Sequence, residues 1–268
     1  MLEDLKSLAL KSDLFLSEIE SQIVDHGDCI QVQTTAQPHY FWGNFLIFPK
    51  PPGSPALKEW KERYRQLFNT KDPGFYIFTW DVESKAPSRE LIQGWERQEL
   101  SCSVDITLRH SKPASPKIVP NLKVRKLQLE EYELIPQLHY NPASEFSGEQ
   151  QLAFMSKRVE FYTLFQSKGL GERYGAFLGK ELVGELGIYF QDGIARYNEI
   201  ATHQEHYRKG ICSQLVQDSA RLLSQEKEVK HFVIVADRDY HAINAYKSLG
   251  FEEYQENYSL QWYDKSRY

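Results

Sequence analysis

His206-Tyr-Arg-Lys-Gly-Ile-Cys-Ser-Gln-Leu-Val216 is the stretch on which the reading of this chain turns. It follows an alternating segment, Ile194–Thr202, that reads as a strand, and its own apolar spacing opens a helix. The first turn of a helix carries backbone N–H groups without internal partners, and the positive end of the helix dipole lies there. Gly210 lets the backbone approach an anion with no Cβ in the way, and Arg208 and Lys209 add positive charge. One glycine, two basic residues and an immediate helix start suit a phosphate cradle.

Further on, Phe232-Val-Ile-Val-Ala-Asp237 reads as a buried strand. Asp239-Tyr-His-Ala-Ile-Asn-Ala-Tyr-Lys-Ser-Leu-Gly-Phe251 reads as a short helix bearing Tyr246, closed by Gly250 at its C-terminal cap. The order strand, Tyr-Arg-Lys-Gly-Ile turn, long helix, strand and Ala-x-x-x-Tyr-x-x-x-Gly-Phe resembles the GNAT superfamily of acetyl-CoA-dependent N-acetyltransferases over roughly residues 122–268. The chain departs from the family pattern at Tyr207, where Arg or Gln is usual, and at Cys212, where Gly or Ala is usual.

The resemblance implies an α/β fold with a mixed sheet, the GNAT-like acyl-CoA N-acyltransferase fold, with acetyl-CoA as co-substrate and no metal. It implies acetyl transfer to a primary amine by direct attack on the thioester. The backbone N–H groups of Arg208, Lys209, Gly210, Ile211 and Cys212 would meet the pyrophosphate, with Tyr207 beside them and the Ser213 hydroxyl adding a contact. Ile200, Ala201 and Thr202 would flank the cofactor, with the N–H of Ile200 or Ala201 as oxyanion donor, and Asp239 and Asn244 would line the pantetheine side.

An alkyl amine is almost wholly protonated at neutral pH, its pKa being near ~10. The site must therefore remove a proton, stabilise an oxyanion and reprotonate a thiolate. By the resemblance Glu199 is the base, with Glu185 as second choice, and Tyr246 the acid. Strict alternation places Tyr197, Glu199 and Ala201 on one face of the strand and Arg196, Asn198 and Ile200 on the other. Two plainer readings stay open: a solvent-facing or ion-paired Glu199, and a Tyr246 that only packs the core. A non-catalytic acyl-CoA-binding sensor or interaction module is the alternative for the whole chain.

Composition narrows the class. The 268 residues carry a formal net charge of −5, with 41% hydrophobic and 26% charged residues. That is an ordinary globular balance, and it argues against a general nucleic-acid or anionic-membrane binder, which needs a basic field. The expected partner is an amine-bearing small molecule or peptide acceptor, with no nucleic acid and no membrane, on a monomer or homodimer. Cys29, Cys102 and Cys212 are far apart and show no metal spacing, so a reducing, cytoplasmic setting is expected. No motif sets a His or an acid beside Cys212, so a nucleophilic role is not expected of it; a helix start would still lower its thiol pKa and open it to alkylators.

Residues 1–111 alternate helical and extended patterns: a leucine-rich helix or helix pair over residues 1–24, apolar strands at 40–49 and 74–81, and a helix capped by Ser88. The prolines of residues 112–121 read as a stiff linker. Two domains and a linker follow: an N-terminal α/β domain at 1–111, the linker at 112–121 and a catalytic GNAT-like domain at 122–268. The first domain lacks a glycine-containing basic turn between Phe45 and Trp60. It is either a degenerate GNAT relative that no longer binds the cofactor or an unrelated α/β cap.

Overall fold

The computed structural model describes residues 1–38, 40–82, 86–110, 118–144, 147–240, 242–264 and 266, apart from the side chains of residues 54 and 55. Residues 111–117, which include residues 112–117 of the expected linker, lie outside the described residues. The elements run α1 (Leu8–Ser17), β1 (Gln22–Asp25), β2 (Ile30–Gln33), β3 (Asn44–Phe48), α2 (Ser54–Leu67), β4 (Phe75–Trp80), α3 (Arg89–Glu96) and β5 (Ser101–His110). There follow β6 (Leu122–Lys126), α4 (Ile135–His139), α5 (Gly148–Ser167), β7 (Gly171–Leu178), β8 (Glu181–Gln191), β9 (Ile194–Thr202), α6 (Ile211–Ser224), β10 (His231–Asp237), α7 (Ile243–Ser248) and β11 (Glu252–Tyr263).

Contacts divide the chain into two compact units. The first holds Met1–Thr107, Val235–Tyr240 and Tyr254–Tyr268; the second holds Leu108–Ile234 and His241–Glu253. This partition differs from a linear division at 112–121, because the chain returns to the first unit. β11 pairs antiparallel with β4, Ser259 opposite Thr79 and Tyr263 opposite Phe75.

In the first unit β1, β2 and β3 form an antiparallel meander, and β3 runs parallel to β4 across the α2 crossover. The apolar stripe of α2 packs on this sheet: Leu57, Trp60 and Tyr64 are buried, and Trp60 stacks on Phe48 with ring centroids 3.7 Å apart. Residues 22–24, read as helix from sequence, are strand, because Ile23 and Val24 pair with Val32 and Gln31. Ser88 caps α3 as expected, its Oγ accepting the Leu91 N–H at 3.2 Å.

The second unit repeats the same order. β6 to β9 form an antiparallel meander, and β9 runs parallel to β10 across α6. Asp192 and Gly193, at φ 52° and 83°, make the tight β8–β9 turn. A Cβ built on Gly184 would meet Ile211 and Leu215 at 3.3 and 3.5 Å, which puts α6 against that face of β8. The next residue, Glu185, points to the opposite face, where α4 and α5 pack. α5 starts in a capping box, with Ser147 Oγ accepting the Gln150 N–H and the Gln150 side chain accepting the Ser147 N–H. β8 is buried on both faces from Val183 to Tyr189, so the one carboxylate of that run, Glu185, has to find a cation inside the protein.

Candidate functional site

The turn after β9 is built as the sequence implied. A 3-10 turn at Gln204–His206 leads through Tyr207 and Arg208 to Gly210, which caps α6. Gly210 sits at φ 84° and Arg208 at φ 62°, so the chain reverses through two left-handed residues. Among the described residues no side chain caps the N-terminus of α6, and its first turn holds no acidic residue. The helix therefore offers the N–H groups of Ile211, Cys212 and Ser213 to an anion, with Arg208 and Lys209 exposed beside them. Cys212 departs from expectation: burial pushes its thiol up to about 11, overriding the helix start.

β9 is irregular where chemistry was expected. Its register against β8 passes from Asn198 opposite Gly187 to Ala201 opposite Glu185, so Glu199 and Ile200 face the single residue Leu186. This is a β-bulge, and Glu199 takes φ 52° to form it. The strict alternation read from the sequence is broken at this point. On its other edge β9 pairs with β10 only through Ile194, Ala195 and Arg196. Residues 197–202 therefore have no β10 partner along that edge.

The α4/α5 face of the bulge carries a buried charge network. Arg158 of α5 donates through Nε and Nη2 to Glu199 Oε1 at 3.0 and 2.7 Å. Glu199 Oε2 is buried and makes no hydrogen bond among the described residues, and Arg173 Nη1 lies 4.0 Å away. Arg173 and Glu185 are 1% and 0% exposed, and Arg173 donates through Nε and Nη2 to Glu185 Oε2. Glu185 Oε1 is 2.6 Å from His139 Nε2. Burial alone would raise the Glu185 carboxyl, but the Arg173 charge and the His139 hydrogen bond overcome it and hold the group below its ordinary range. The Arg173 guanidinium lies over the Tyr162 ring at 3.9 Å. The hydroxyls of Tyr132, Tyr162 and Tyr189 are buried and make no hydrogen bond among the described residues.

Tyr246 lies in α7, 4% exposed. Gly250 at φ 93° closes that helix, with the Phe251 N–H returning to Tyr246 O at 3.2 Å. Asn244 is exposed on the same helix, whereas Asp239 falls in the first unit, where its N–H bonds Asp237 Oδ1. The structure thus brings Glu199, Ile200, Ala201 and Thr202 together around the bulge, and Tyr207 to Ser213 together in the turn. Arg158, Arg173 and His139 were not picked out from sequence. The signal for a partner was Glu185 itself, one carboxylate inside an apolar strand. Among the described residues, no group of three or more His, Cys, Asp or Glu gathers to hold a metal ion, and no helix is long and apolar enough to cross a membrane.

In the connection of the first unit that corresponds to this turn, Pro49, Pro51 and Pro52 supply no N–H at all. The Pro52 carbonyl is held by Trp95 Nε1 at 3.2 Å.

Comparison with known proteins agrees with this geometry. The family model described as FR47-like protein matches residues 173–260, from the buried arginine to the last strand. No curated protein matches the sequence. A functionally unknown conserved protein from Staphylococcus epidermidis ATCC 12228 superposes with a TM-score of 0.71 at 14% identity, over 92% of this chain and 95% of that one. A GCN5-related N-acetyltransferase from Kribbella flavida gives 0.63 at 15% identity, over 94% of both chains. A tandem GNAT protein from the clavulanic acid biosynthesis pathway gives 0.50 at 16% identity, over 75% of this chain and 67% of that one. The crossover turn, the bulged strand and these likenesses together show that this chain has the fold of the GCN5-related N-acetyltransferases, with an FR47-like region at residues 173–260.

Proposed function

We propose that this protein transfers an acetyl group from acetyl-CoA to a primary amine. The observation that carries the reading is the uncapped α6 N-terminus behind Gly210, beside a β9 edge that β10 leaves unpaired from residue 197 onward. The backbone N–H groups from Arg208 to Cys212, with Ser213, would hold the pyrophosphate. The free edge at Ile200, Ala201 and Thr202 would pair with the amide-bearing pantetheine arm, as an added strand pairs with a sheet edge. The Ile200 N–H, outside the regular ladder at the bulge, would meet the oxygen of the reacting carbonyl. Glu199 would meet the ammonium of the acceptor, and Tyr246 would return a proton to the thiolate.

The net charge of −5 favours a cationic acceptor. The free thiols of Cys29, Cys102 and Cys212 support a reducing, cytoplasmic setting. The first unit is read as a degenerate copy of the second. It repeats the meander, crossover and parallel strand, while its prolines withdraw the N–H groups a phosphate needs.

The test is a screen of primary amines against acetyl-CoA, scored by release of free thiol. Turnover that falls on Glu199→Gln and Tyr246→Phe with cofactor affinity retained supports the reading. Saturable acetyl-CoA binding without turnover on any amine would leave a sensor instead.

A further inference from the structure

The buried network on the α4/α5 face contains five charged or chargeable groups, and one of them, His139, keeps a ring nitrogen that no hydrogen bond among the described residues engages. Glu185 is 0% exposed, and both its oxygens are engaged. Glu199 has Oε1 taken by two Arg158 N–H groups and Oε2 buried. Arg158 and Arg173 are guanidiniums and stay charged. His139, at the C-terminal end of α4, remains 18% exposed, and its Nδ1 makes no hydrogen bond among the described residues.

The tautomer of His139 follows from its neighbour. Glu185 is ionised against Arg173, so its Oε1 is an acceptor only. A neutral His139 must then carry its proton on Nε2 and direct it to Oε1, because a bare Nε2 would face a carboxylate lone pair at 2.6 Å. That leaves the Nδ1 lone pair unused. Glu185 stands opposite Ala201 in the ladder, one step from the bulge. The Arg173 guanidinium has Glu185 on one side and Glu199 on the other, so His139 shares the face to which Glu199 turns.

Resting on the acetyltransferase reading above, we propose that His139 is the general base of the site, with Glu185 and Arg173 fixing its orientation and Glu199 serving as counter-charge to the acceptor's ammonium. The ammonium gives one proton to His139 Nδ1. The imidazolium keeps its Nε2–H on Glu185 and later releases the new proton to water. The freed lone pair forms the N–C bond as the C–S bond breaks, and the second proton leaving nitrogen ends on the thiol sulfur. An imidazole suits this task at neutral pH better than a carboxylate does, since its ordinary range lies nearer the working pH. Glu185 on β8 is the charged group in contact with His139, and Arg173 on β7, Glu199 on β9, and Arg158 and Tyr162 on α5 extend from it as one network, with Tyr132 in the 3-10 turn before α4.

The experiment uses the full chain with acetyl-CoA and the best primary amine of the screen, comparing wild type, His139→Gln and His139→Ala from pH 6.5 to 10. His139→Gln is expected to lower kcat/KM by roughly 10²-fold or more near neutral pH, within the ordinary range for general base catalysis. The deficit should shrink as the pH approaches ~10, where the amine deprotonates in solution. Added imidazole should partly restore His139→Ala, which repair of a packing defect would not do. Calorimetry with acetyl-CoA should give both variants the affinity of wild type. A wild type that turns over while His139→Gln is equally active, or equally impaired at every pH, overturns the inference and leaves the acetyltransferase reading standing. A wild type inactive on every amine overturns both.

Discussion

Replacing Arg173 by Met tests the electrostatic centre of the second unit. The methionine keeps most of the buried stem and removes the guanidinium, so Glu185, 0% exposed, loses the partner of its Oε2 and retains only His139. At an effective dielectric of about 20, two unit charges 4 Å apart interact by about 4 kcal/mol. Breaking one side of a buried ion pair ordinarily costs about 3–5 kcal/mol. The two figures agree, and Arg173→Met should lose about that much.

The pH dependence of this loss has a definite sign. In the wild type the Glu185 carboxyl is held low, so its contribution is complete above the unfolded carboxylate range and is lost only as the pH falls through the lower folded value. In Arg173→Met burial dominates, the carboxyl is pushed up, and it takes a proton at milder pH. The difference between the two proteins should therefore be largest at pH 8 and should narrow toward pH 5. Replacing Glu185 by Leu in the same chain removes the orphaned charge and should recover most of the loss. Trp42, Trp60, Trp80, Trp95 and Trp262 all lie in the first unit, so their fluorescence reads that unit. Hydrogen exchange of the β7 and β8 amides reads the second. A cost below about 1 kcal/mol in β7–β8 exchange, or a double variant no better than the single, would refute the reasoning.

Three further outcomes follow from the same structure. Gly187→Ala places a Cβ 3.0 Å from Arg173 Nη1 and should cost about 1–3 kcal/mol by displacing the guanidinium, measured by urea unfolding followed by circular dichroism. Ser147→Ala removes the capping box of α5 and should cost about 1 kcal/mol in the same assay, with Ser147→Asp recovering most of it. The Cys212 thiol, pushed up to about 11, should stay neutral at pH 7.5, and mass spectrometry should find it alkylated by iodoacetamide far more slowly than a free cysteine.

The sequence displayed the turn from His206 to Val216 because its signals are local: a glycine that reaches φ 84°, neighbouring charges and a helix period that begins at once. The Tyr246 helix and its Gly250 closure were legible for the same reason. The bulge was not. Glu199 adopts φ 52° without being glycine, and nothing in an alternating strand announces the extra residue. The His139–Glu185–Arg173 chain joins residues 46 and 12 positions apart, and such a link is set by the stacking of β7, β8 and α4 rather than by local pattern. Residues 22–24 read as helix because a leucine-rich run precedes them, whereas their strand character comes from pairing with β2.

The central claim is that the turn behind Gly210 holds acetyl-CoA, and calorimetric titration of the full chain tests it most directly. The account predicts saturable binding of acetyl-CoA that ATP does not reproduce. It also predicts that Gly210→Pro, which cannot reach φ 84°, abolishes that binding while far-UV circular dichroism is unchanged. Absence of binding by wild type at millimolar acetyl-CoA, or equal binding by a folded Gly210→Pro variant, would contradict it.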